Sequence, residues 1–331
     1  MTDPHQRIGV LLTNLGTPTA PTPKALRRYL AEFLWDPRVI ELPRPLWWLV
    51  LNGVILWIRP RRSAAAYRRI WTPQGSPLLV ISERQAARVA DGLREQLGSE
   101  VMVALGMRYG EPSIESAYAQ LEAAGCGRIL VLPLYPQYSA SATASTYDAI
   151  GAVLRKRRVM PQLRLIRDYH DHPGYIDALA ASVREYWQQH GRGEQLLISF
   201  HGIPESYAKR GDPYPVYCKR TAQALVRQLE LAPEAWKMVF QSRFGPQAWL
   251  QPYTVRTLEQ LAQAGVKRVD LICPGFAVDC LETLEENDIF NHERFLAAGG
   301  REFHYIPCLN DRPDHISALI EIIRQNLAGW S

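Results

Sequence analysis

His201 is the residue of this chain best placed to transfer a proton or to bind a metal ion. It ends the apolar run QLLISFH, and Gly202, directly after it, allows a sharp turn of the backbone. Because the pKa of histidine lies near neutrality, such a residue can act as a general base or as a metal ligand. A histidine with a purely structural role is the alternative that the sequence leaves open.

Three carboxylates in the segment DCLETLEE form a second group of chemically useful side chains. Glu282 and Glu286 are four residues apart, and Asp279 precedes Glu282 by three, so an α-helix would place them on one face. Acidic residues in a first turn also stabilise a helix through its dipole, which alone would account for them. The other interpretation is a row of hard oxygen ligands that passes a divalent cation toward His201.

Aromatic side chains follow two other apolar runs. Tyr138 comes after LPLYP, and Trp249 comes after FQSRFGPQ. Taken alone, such residues belong to a hydrophobic core more often than to a ligand pocket.

The elements that must position these residues alternate between strand and helix patterns. Eight short apolar or β-branched runs are separated by helical patterns, which predicts parallel sheets with helices on both faces. The predicted strands lie near residues 8–15, 101–108, 128–133, 163–167, 195–201, 237–242, 268–273 and 302–306. The pair Ser76 and Pro77 predicts one helix start, with the serine as N-cap and the proline in the first turn.

The two halves of the chain resemble each other. Three segments of the first half recur in the same order in the second: LLTNLGTP as LLISFHGIP, MRYGEP as SRFGPQ, and AGCGRILVLPLYP as AGVKRVDLICPGF. Three ordered matches indicate a duplication, so we expect two doubly wound α/β domains, over residues 1–170 and 171–331. Ligands of such sheets bind beyond the carboxyl ends of the strands, where the candidate residues fall. No GxGxxG follows the first strand and no GxxxxGK[ST] occurs, so we expect no dinucleotide or P-loop phosphate site.

The first half contains an insertion, about residues 35–76, that the second half lacks. The stretch Leu42–Ser82 has six arginines and no acidic residue, on a chain whose net charge is only +5. Five of the nine tryptophans lie in or beside it. We expect the insertion to form the lip of a ligand cleft and to meet something both anionic and apolar. Nucleic acid is disfavoured as a partner, because tryptophan and leucine interleave the arginines and no nucleic-acid motif accompanies them.

The longest apolar run, Leu46–Ile58, has thirteen residues. A helix that spans a bilayer needs about 20 residues, so this segment is either a buried helix or one that lies on a bilayer surface. The first residues lack the basic leader and long apolar run of a signal peptide. Five cysteines without a CxxC pair indicate reduced thiols. We therefore expect a cytoplasmic protein that is at most peripheral to the membrane.

Seven motifs together resemble the ferrochelatases, enzymes that insert ferrous iron into a porphyrin. The motifs are NLGTP at 14–18, YRRI and GSPL within 67–78, RYGEP at 108–112, LYPQYS at 134–139, SFHGIP at 199–204, FQSRFG and WLQP within 240–252, and DCLETLEE at 279–286. They occur in the family's order and cover nearly the whole chain. The resemblance implies the chelatase fold, in which two similar Rossmann-type domains with four-stranded parallel sheets flanked by helices hold the porphyrin in a cleft between them.

The resemblance also implies roles for the residues at matching positions. His201 resembles the family's active-site histidine, as proton acceptor and metal ligand, and Glu282 resembles the carboxylate that faces it. Asp279 and Glu286 would extend a metal path from there. The remaining matches would bind the porphyrin: Leu15, Tyr67, Trp249 and Phe276 as walls, Arg61, Arg62 and Ser76 at its propionates, and Arg108 and Tyr138 in the pocket. Walls that hold the macrocycle bent would expose its nitrogens to the metal.

The chain departs from the family pattern at three positions. Ala140 replaces the cysteine of the YSCS motif in animal enzymes, and the chain lacks their cysteine-bearing tail. The resemblance is therefore to the bacterial type without a [2Fe–2S] cluster, with no permanently bound cofactor and with Fe²⁺ as a substrate. Cys280 stands where some relatives have a histidine, and Phe290 interrupts the row of carboxylates after Glu286.

The substrate implied by the resemblance is protoporphyrin IX, which yields protohaem in the terminal step of haem biosynthesis. The apolar Leu46–Ile58 run favours this hydrophobic porphyrin over coproporphyrin. Two alternatives stay open: a chelatase of the same fold for coproporphyrin or another tetrapyrrole, and a non-catalytic carrier of porphyrin or haem.

Overall fold

The computed structural model describes residues 7–98 and 101–330, which form two compact units. The signal-peptide prediction concerns residues that lie partly outside the described ranges. The strands are β1 (Arg7–Gly16), β2 (Val101–Tyr109), β3 (Cys126–Pro133), β4 (Gln162–Leu165), β5 (Gln195–His201), β6 (Trp236–Gln241), β7 (Arg268–Ile272) and β8 (Glu302–Ile306). All eight predicted strands are present, with ends within two residues of the prediction.

The helices lie between these strands. They are α1 (Pro23–Trp35), α2 (Arg44–Val50), α3 (Leu56–Ile70), α4 (Pro77–Leu97), α5 (Ile114–Ala123), α6 (Ser145–Leu154), α7 (Pro173–His190), α8 (Glu205–Lys209), α9 (Tyr214–Gln228), α10 (Thr254–Gln263), α11 (His292–Ala297) and α12 (Pro313–Leu327). Three π-helical segments lie among them: Leu51–Ile55, Ala140–Ala144 and Leu281–Asn291. A single turn of 3₁₀ helix, Pro233–Ala235, precedes β6.

The same sheet is built twice. The first unit has the strand order β2-β1-β3-β4 and the second has β6-β5-β7-β8, with every pair parallel. Strands β2 and β6, which occupy the same position in the two sheets, make the same contact near their ends. The Met107 N–H of β2 donates to the Pro112 carbonyl, and the Phe240 N–H of β6 donates to the Pro252 carbonyl. Shared strand order and matched irregular contacts are what a duplication of one α/β unit predicts.

In both units the core is formed by residues of the sheet, which is covered on both of its faces, as parallel sheets require. In the first unit Leu11, Ile129 and Val131 pack with Leu121 of α5. In the second unit Leu197, Val239, Val269 and Leu271 pack with α10 and with Phe295. These rigid sheets hold the loops after their strands in place.

The two units are not divided at a single point of the chain, so one boundary at residue 170 describes them only in part. The first unit comprises the described residues up to Tyr135, together with Ser139–Asp168 and those from Ile316 onward; the second comprises Pro136–Tyr138 and Tyr169–His315. The carboxyl-terminal helix joins the first unit through contacts that span more than 160 residues of sequence. Arg164 donates to the carbonyls of residues 326 and 328 and covers the Trp330 ring, and Arg128 donates to the Trp330 carbonyl.

The start of α4 agrees with the sequence prediction, but the serine does not cap the helix. Pro77 is the first residue of α4 and Ser76 precedes it. The Ser76 hydroxyl instead accepts a hydrogen bond from the Thr17 hydroxyl at 2.7 Å. The tie joins the loop after β1 to the start of α4.

The Leu46–Ile58 segment is neither wholly buried nor wholly exposed. It spans α2, the π-helical segment Leu51–Ile55 and the first turn of α3, and it buries Trp47, Leu51 and Leu56. The exposed side chains of the same segment include Leu46, Trp48, Leu49, Val54, Trp57 and Ile58, each more than half accessible to solvent. The interpretation of this run as a buried helix is therefore wrong for half of its side chains. No helix among residues 7–98 and 101–330 is both long and apolar enough to cross a membrane.

Candidate active site

His201 ends β5 with one ring nitrogen committed to the backbone. Its Nδ1 lies 2.6 Å from the Gly202 carbonyl oxygen, and a carbonyl can only accept, so Nδ1 carries the hydrogen. In the neutral ring, Nε2 is then the atom with a free lone pair. His201 is only partly buried, and its ring centroid is 6.5 Å from that of Phe276, which packs on the core of the second unit.

The turn after His201 requires a glycine. The Gly202 N–H donates to the Gln241 carbonyl at 2.8 Å, which draws the backbone against the end of β6. A Cβ at Gly202 would lie 2.9 Å from that carbonyl oxygen and 3.2 Å from the Trp249 ring. Trp249 is buried and its main chain bridges to Pro204. The predicted wall residue Trp249 is thus packed directly behind the turn that carries His201.

Glu282 and Glu286 lie on a π-helix, not on the α-helix that the spacing suggested, and Asp279 lies just before it. Residues Leu281–Asn291 have π-helical hydrogen bonds, which close from residue i to residue i+5 and widen the turn. The Cys280 N–H donates to the Thr283 hydroxyl at 2.9 Å and so satisfies one group at the helix start. The spacing of a few carboxylates indicates a helix but does not show whether its hydrogen bonds close at i+4 or at i+5, which is why the sequence did not predict the π-helix.

Glu286 lies near both Glu282 and His201. Burial raises the pKa of the Glu286 carboxyl, whereas hydrogen bonds from Ser242 and the positive charge of protonated His201 lower this pKa and the charge of Glu282 raises it. The Ser242 N–H donates to Glu286 Oε1 at 2.7 Å, and the Ser242 hydroxyl donates to Oε2. Glu286 thus lies within electrostatic range of both His201 and Glu282.

Asp279 has a different environment from the two glutamates. Its Oδ1 accepts from the Tyr305 and Thr283 hydroxyls and from the Cys308 N–H, and its Oδ2 accepts from the Asn310 amide at 2.6 Å. The carboxylate is buried and surrounded by donors of the protein itself. This arrangement favours an anchoring role for Asp279, at the start of the π-helix, over a place in a metal path.

The other predicted porphyrin-binding residues fall into two groups. Tyr138 is partly buried in the segment that packs with the second unit. The rest belong to the first unit: Leu15 is partly buried, Tyr67 and Ser76 are buried, and Arg61 and Arg62 are exposed on α3. Tyr67 packs edge-on against Trp71, with ring centroids 6.1 Å apart.

Arg108 is committed to a buried network that no sequence pattern indicated. Its guanidinium donates to the Asp36 carboxylate and to the Ser145 hydroxyl, and Tyr109 also donates to Asp36 at 2.8 Å. The Asp36 side chain is 2% exposed and that of Arg108 is 17% exposed. Nothing in the sequence links residues 36, 108 and 145, because only the fold brings them together.

Within residues 7–98 and 101–330, no three histidine, cysteine or acidic side chains gather into a preformed metal site. The five cysteines are buried and unpaired.

Solved structures with similar folds define the class. The structure aligns with SirB from Bacillus subtilis with Fe³⁺ at a TM-score of 0.56 and 13% identity, covering 98% of this chain and 96% of that one. It also aligns with CbiX, the terminal enzyme for biosynthesis of sirohaem in denitrifying bacteria, at a TM-score of 0.53 and 16% identity, covering 96% and 98%. At these identities the likeness is one of fold, and the chain has the chelatase fold.

Comparison of sequences identifies the family. The ferrochelatase family model matches residues 7–327. Ferrochelatase from Thioalkalivibrio sulfidiphilus is 58% identical over 98% of this chain and 88% of its own length, and that from Nitrosococcus oceani is 54% identical over 99% and 89%. The chain belongs to the ferrochelatase family, the metal chelatases that insert ferrous iron into a porphyrin for haem synthesis; these enzymes are classed as lyases.

Proposed function

We propose that this chain inserts Fe²⁺ into protoporphyrin IX to give protohaem, with His201 and Glu282 as its catalytic pair. Insertion exchanges two pyrrole N–H protons for one Fe²⁺, so the site must accept protons on the face where the nitrogen lone pairs emerge. The observation that carries the proposal is the hydrogen bond from His201 Nδ1 to the Gly202 carbonyl, because it leaves Nε2 as a proton acceptor.

Glu282 and Glu286 supply the negative charge that this step needs. A proton taken by His201 creates an imidazolium, which the neighbouring carboxylates stabilise. The same oxygens, with the imidazole, are ligands that Fe²⁺ accepts on its way to the ring. Phe276 and Trp249 would form the rigid wall against which the macrocycle bends, so that binding contacts distant from the nitrogens maintain the distortion.

The substrate assignment is tested with two porphyrins side by side. Initial rates of Fe²⁺ insertion are measured with protoporphyrin IX and with coproporphyrin III, over the same concentration range. The proposal expects the higher kcat/KM with protoporphyrin IX. A higher value with coproporphyrin III would favour the alternative chelatase, and binding of both porphyrins without metal insertion would favour a carrier.

Arg61, Arg62 and Ser76 are proposed to hold the propionates. Both arginines are exposed and lie six and five residues before Tyr67 on the same helix. The affinity of the Arg61→Gln/Arg62→Gln variant is compared for the porphyrin diacid and for its dimethyl ester. We expect weaker binding of the diacid alone, whereas the control variant Arg155→Gln/Arg158→Gln, with equal charge loss in the segment after α6, leaves both affinities unchanged. Equal affinity of parent and variant for the diacid would contradict the assignment.

We further propose that the Leu46–Ile58 segment contacts an anionic bilayer surface peripherally. Tryptophan and aliphatic side chains are exposed there beside arginines, on a stretch without acidic residues. Vesicle sedimentation tests this with phosphatidylglycerol mixed into phosphatidylcholine. We expect Leu49→Ser/Trp57→Ser to abolish binding and the exposed-apolar control Val159→Ser/Met160→Ser to retain it. Failure of the parent protein to bind anionic vesicles would contradict the proposal.

We also propose that this chain is a cytoplasmic enzyme and that it works without an iron–sulfur cluster. The state of its thiols supports both proposals. All five cysteines are buried, and burial raises the pKa of each thiol, so they favour the protonated form over the thiolate that ligates iron. Iron and acid-labile sulfide analysis of the purified protein tests the cluster, and cell fractionation tests the location. Stoichiometric acid-labile sulfide would contradict the proposal that no cluster is present.

A further inference from the structure

Gln241, the last residue of β6, makes hydrogen bonds toward both members of the proposed catalytic pair. Its side chain is buried, and its Nε2 donates to the backbone carbonyl of Glu282 at 2.7 Å. Its own backbone carbonyl accepts from the N–H of Gly202, the residue directly after His201. His201 and Gln241 are also paired in the sheet.

The orientation of the Gln241 amide is fixed on its other side. Oε1 accepts from the Ser199 hydroxyl and from the Asn287 amide, each at 2.7 Å. Since a hydroxyl and an amide N–H both donate to Oε1, Nε2 must point to the Glu282 carbonyl. Ser199 lies two residues before His201 on β5, so the network starts on the strand of the histidine and ends on the helix of the glutamate.

The π-helix depends on this support at its first turn. Asn287 donates a second bond to the Glu282 carbonyl at 3.1 Å and is held in turn by Asn291. Two buried side chains, Gln241 and Asn287, therefore donate to one backbone carbonyl of a catalytic residue, and Ser199 and Asn291 hold these two in turn. An unpaired group in such a place is costly, which makes the geometry of the Glu282 main chain sensitive to Gln241.

We propose that Gln241 is a positioning residue that fixes Glu282 relative to His201. This inference rests on the proposed function, because it takes His201 and Glu282 as the catalytic pair. Gln241 itself contacts no reacting atom: its Nε2 acts on the Glu282 backbone and its carbonyl on the turn after the histidine. Misplacement of a catalytic group by about 1 Å costs on the order of 10²-fold in rate, so loss of this tie lowers kcat while porphyrin binding persists.

The test is a double-mutant cycle of Gln241→Met and Glu282→Ala, read as kcat, KM for porphyrin and the pH profile of kcat. We expect Gln241→Met to lower kcat by about 10- to 100-fold with KM changed less than about threefold. In the Glu282→Ala background the same substitution should cost less than about twofold, because the residue that it positions is gone. The control Ser182→Ala, which removes another buried hydrogen bond of the second unit, should leave kcat unchanged.

The outcomes separate this inference from the proposed function. Parental kcat in Glu282→Ala would contradict the catalytic pair itself. If Glu282→Ala lowers kcat, two results would contradict only the positioning role. One is a parental kcat in Gln241→Met; the other is the same fold-loss of kcat from Gln241→Met in the parent and in the Glu282→Ala background. If Gln241→Met does not fold by circular dichroism, Gln241→Glu carries the same cycle, since it keeps the side-chain shape but loses the Nε2 donor.

Discussion

Ser242 holds both oxygens of the Glu286 carboxylate: its N–H donates to Oε1 at 2.7 Å and its hydroxyl donates to Oε2. Ser242 has φ = 65°, in the left-handed region, directly after the end of β6. That conformation costs a serine roughly 1 to 3 kcal/mol and persists because the surroundings determine it. The loop after β6 thus fixes the second glutamate of the candidate site, as Gln241 is proposed to fix the first.

The raised pKa of Glu286 predicts a pH dependence of stability. The folded carboxyl keeps its proton above the ordinary pKa of 4.5, where the unfolded chain has lost it. The folded state then binds more protons, so the free energy of unfolding falls as pH rises from about 4.5 through the folded pKa, by at most about 1.4 kcal/mol per pH unit. Urea denaturation of parent and Glu286→Gln across this range measures the difference. The free energy of unfolding of the parent minus that of Glu286→Gln should fall with pH. A difference that rises with pH would contradict the prediction, as would an equal fall with pH when the neighbouring control Glu285→Gln replaces Glu286→Gln.

Arg108 is predicted to stabilise the fold through Asp36. Arg108→Met leaves a buried carboxylate without its cation, so we expect a loss of about 3 to 5 kcal/mol in the free energy of unfolding. Arg38→Met provides the matched control, because the Arg38–Asp148 pair is over 40% exposed on both sides and should cost less than about 1 kcal/mol. Urea denaturation measures both. Equal small losses, with weaker porphyrin binding in Arg108→Met, would assign Arg108 to the substrate instead.

Asp279 is predicted to act as an anchor of the π-helix. Asp279→Asn keeps the side-chain shape but replaces the charged carboxylate by a neutral amide, which weakens the hydrogen bonds that Tyr305, Thr283 and Cys308 donate to it. We therefore expect a free energy of unfolding about 2 kcal/mol lower. The KM for Fe²⁺ should change less than about twofold in the same variant. Parental stability combined with a tenfold higher KM for Fe²⁺ would restore Asp279 to a metal path.

Local signals made much of this molecule predictable. Strands such as Gln195–His201 are continuous apolar runs, and the residue after such a run in a parallel sheet necessarily lies at the ligand-binding edge. His201 could therefore be named as a candidate from its position and neighbour alone. The duplicated motifs predicted two sheets of one topology, which the strand orders bear out.

Contacts between distant segments could not be predicted in this way. Gln241 lies 41 residues from Glu282 and Asp36 lies 72 from Arg108, so no spacing rule connects them. The π-helix also escaped prediction, because the choice between i+4 and i+5 hydrogen bonds depends on side-chain contacts to its backbone, such as the one that Gln241 makes from the distant strand β6. Sequence patterns predict candidate residues for the chemistry, whereas the fold is needed to see what holds them.

The most direct test of the proposed chemistry is metal insertion by His201→Ala. Initial rates with protoporphyrin IX and Fe²⁺, and porphyrin affinity, are measured for parent, His201→Ala and the exposed control His190→Ala. Because Nε2 is assigned as the proton acceptor, we predict a loss of at least about 10²-fold in kcat for His201→Ala, with porphyrin affinity within about threefold and with parental rates in the control. Turnover of His201→Ala within tenfold of the parent would contradict the role of His201 as proton acceptor.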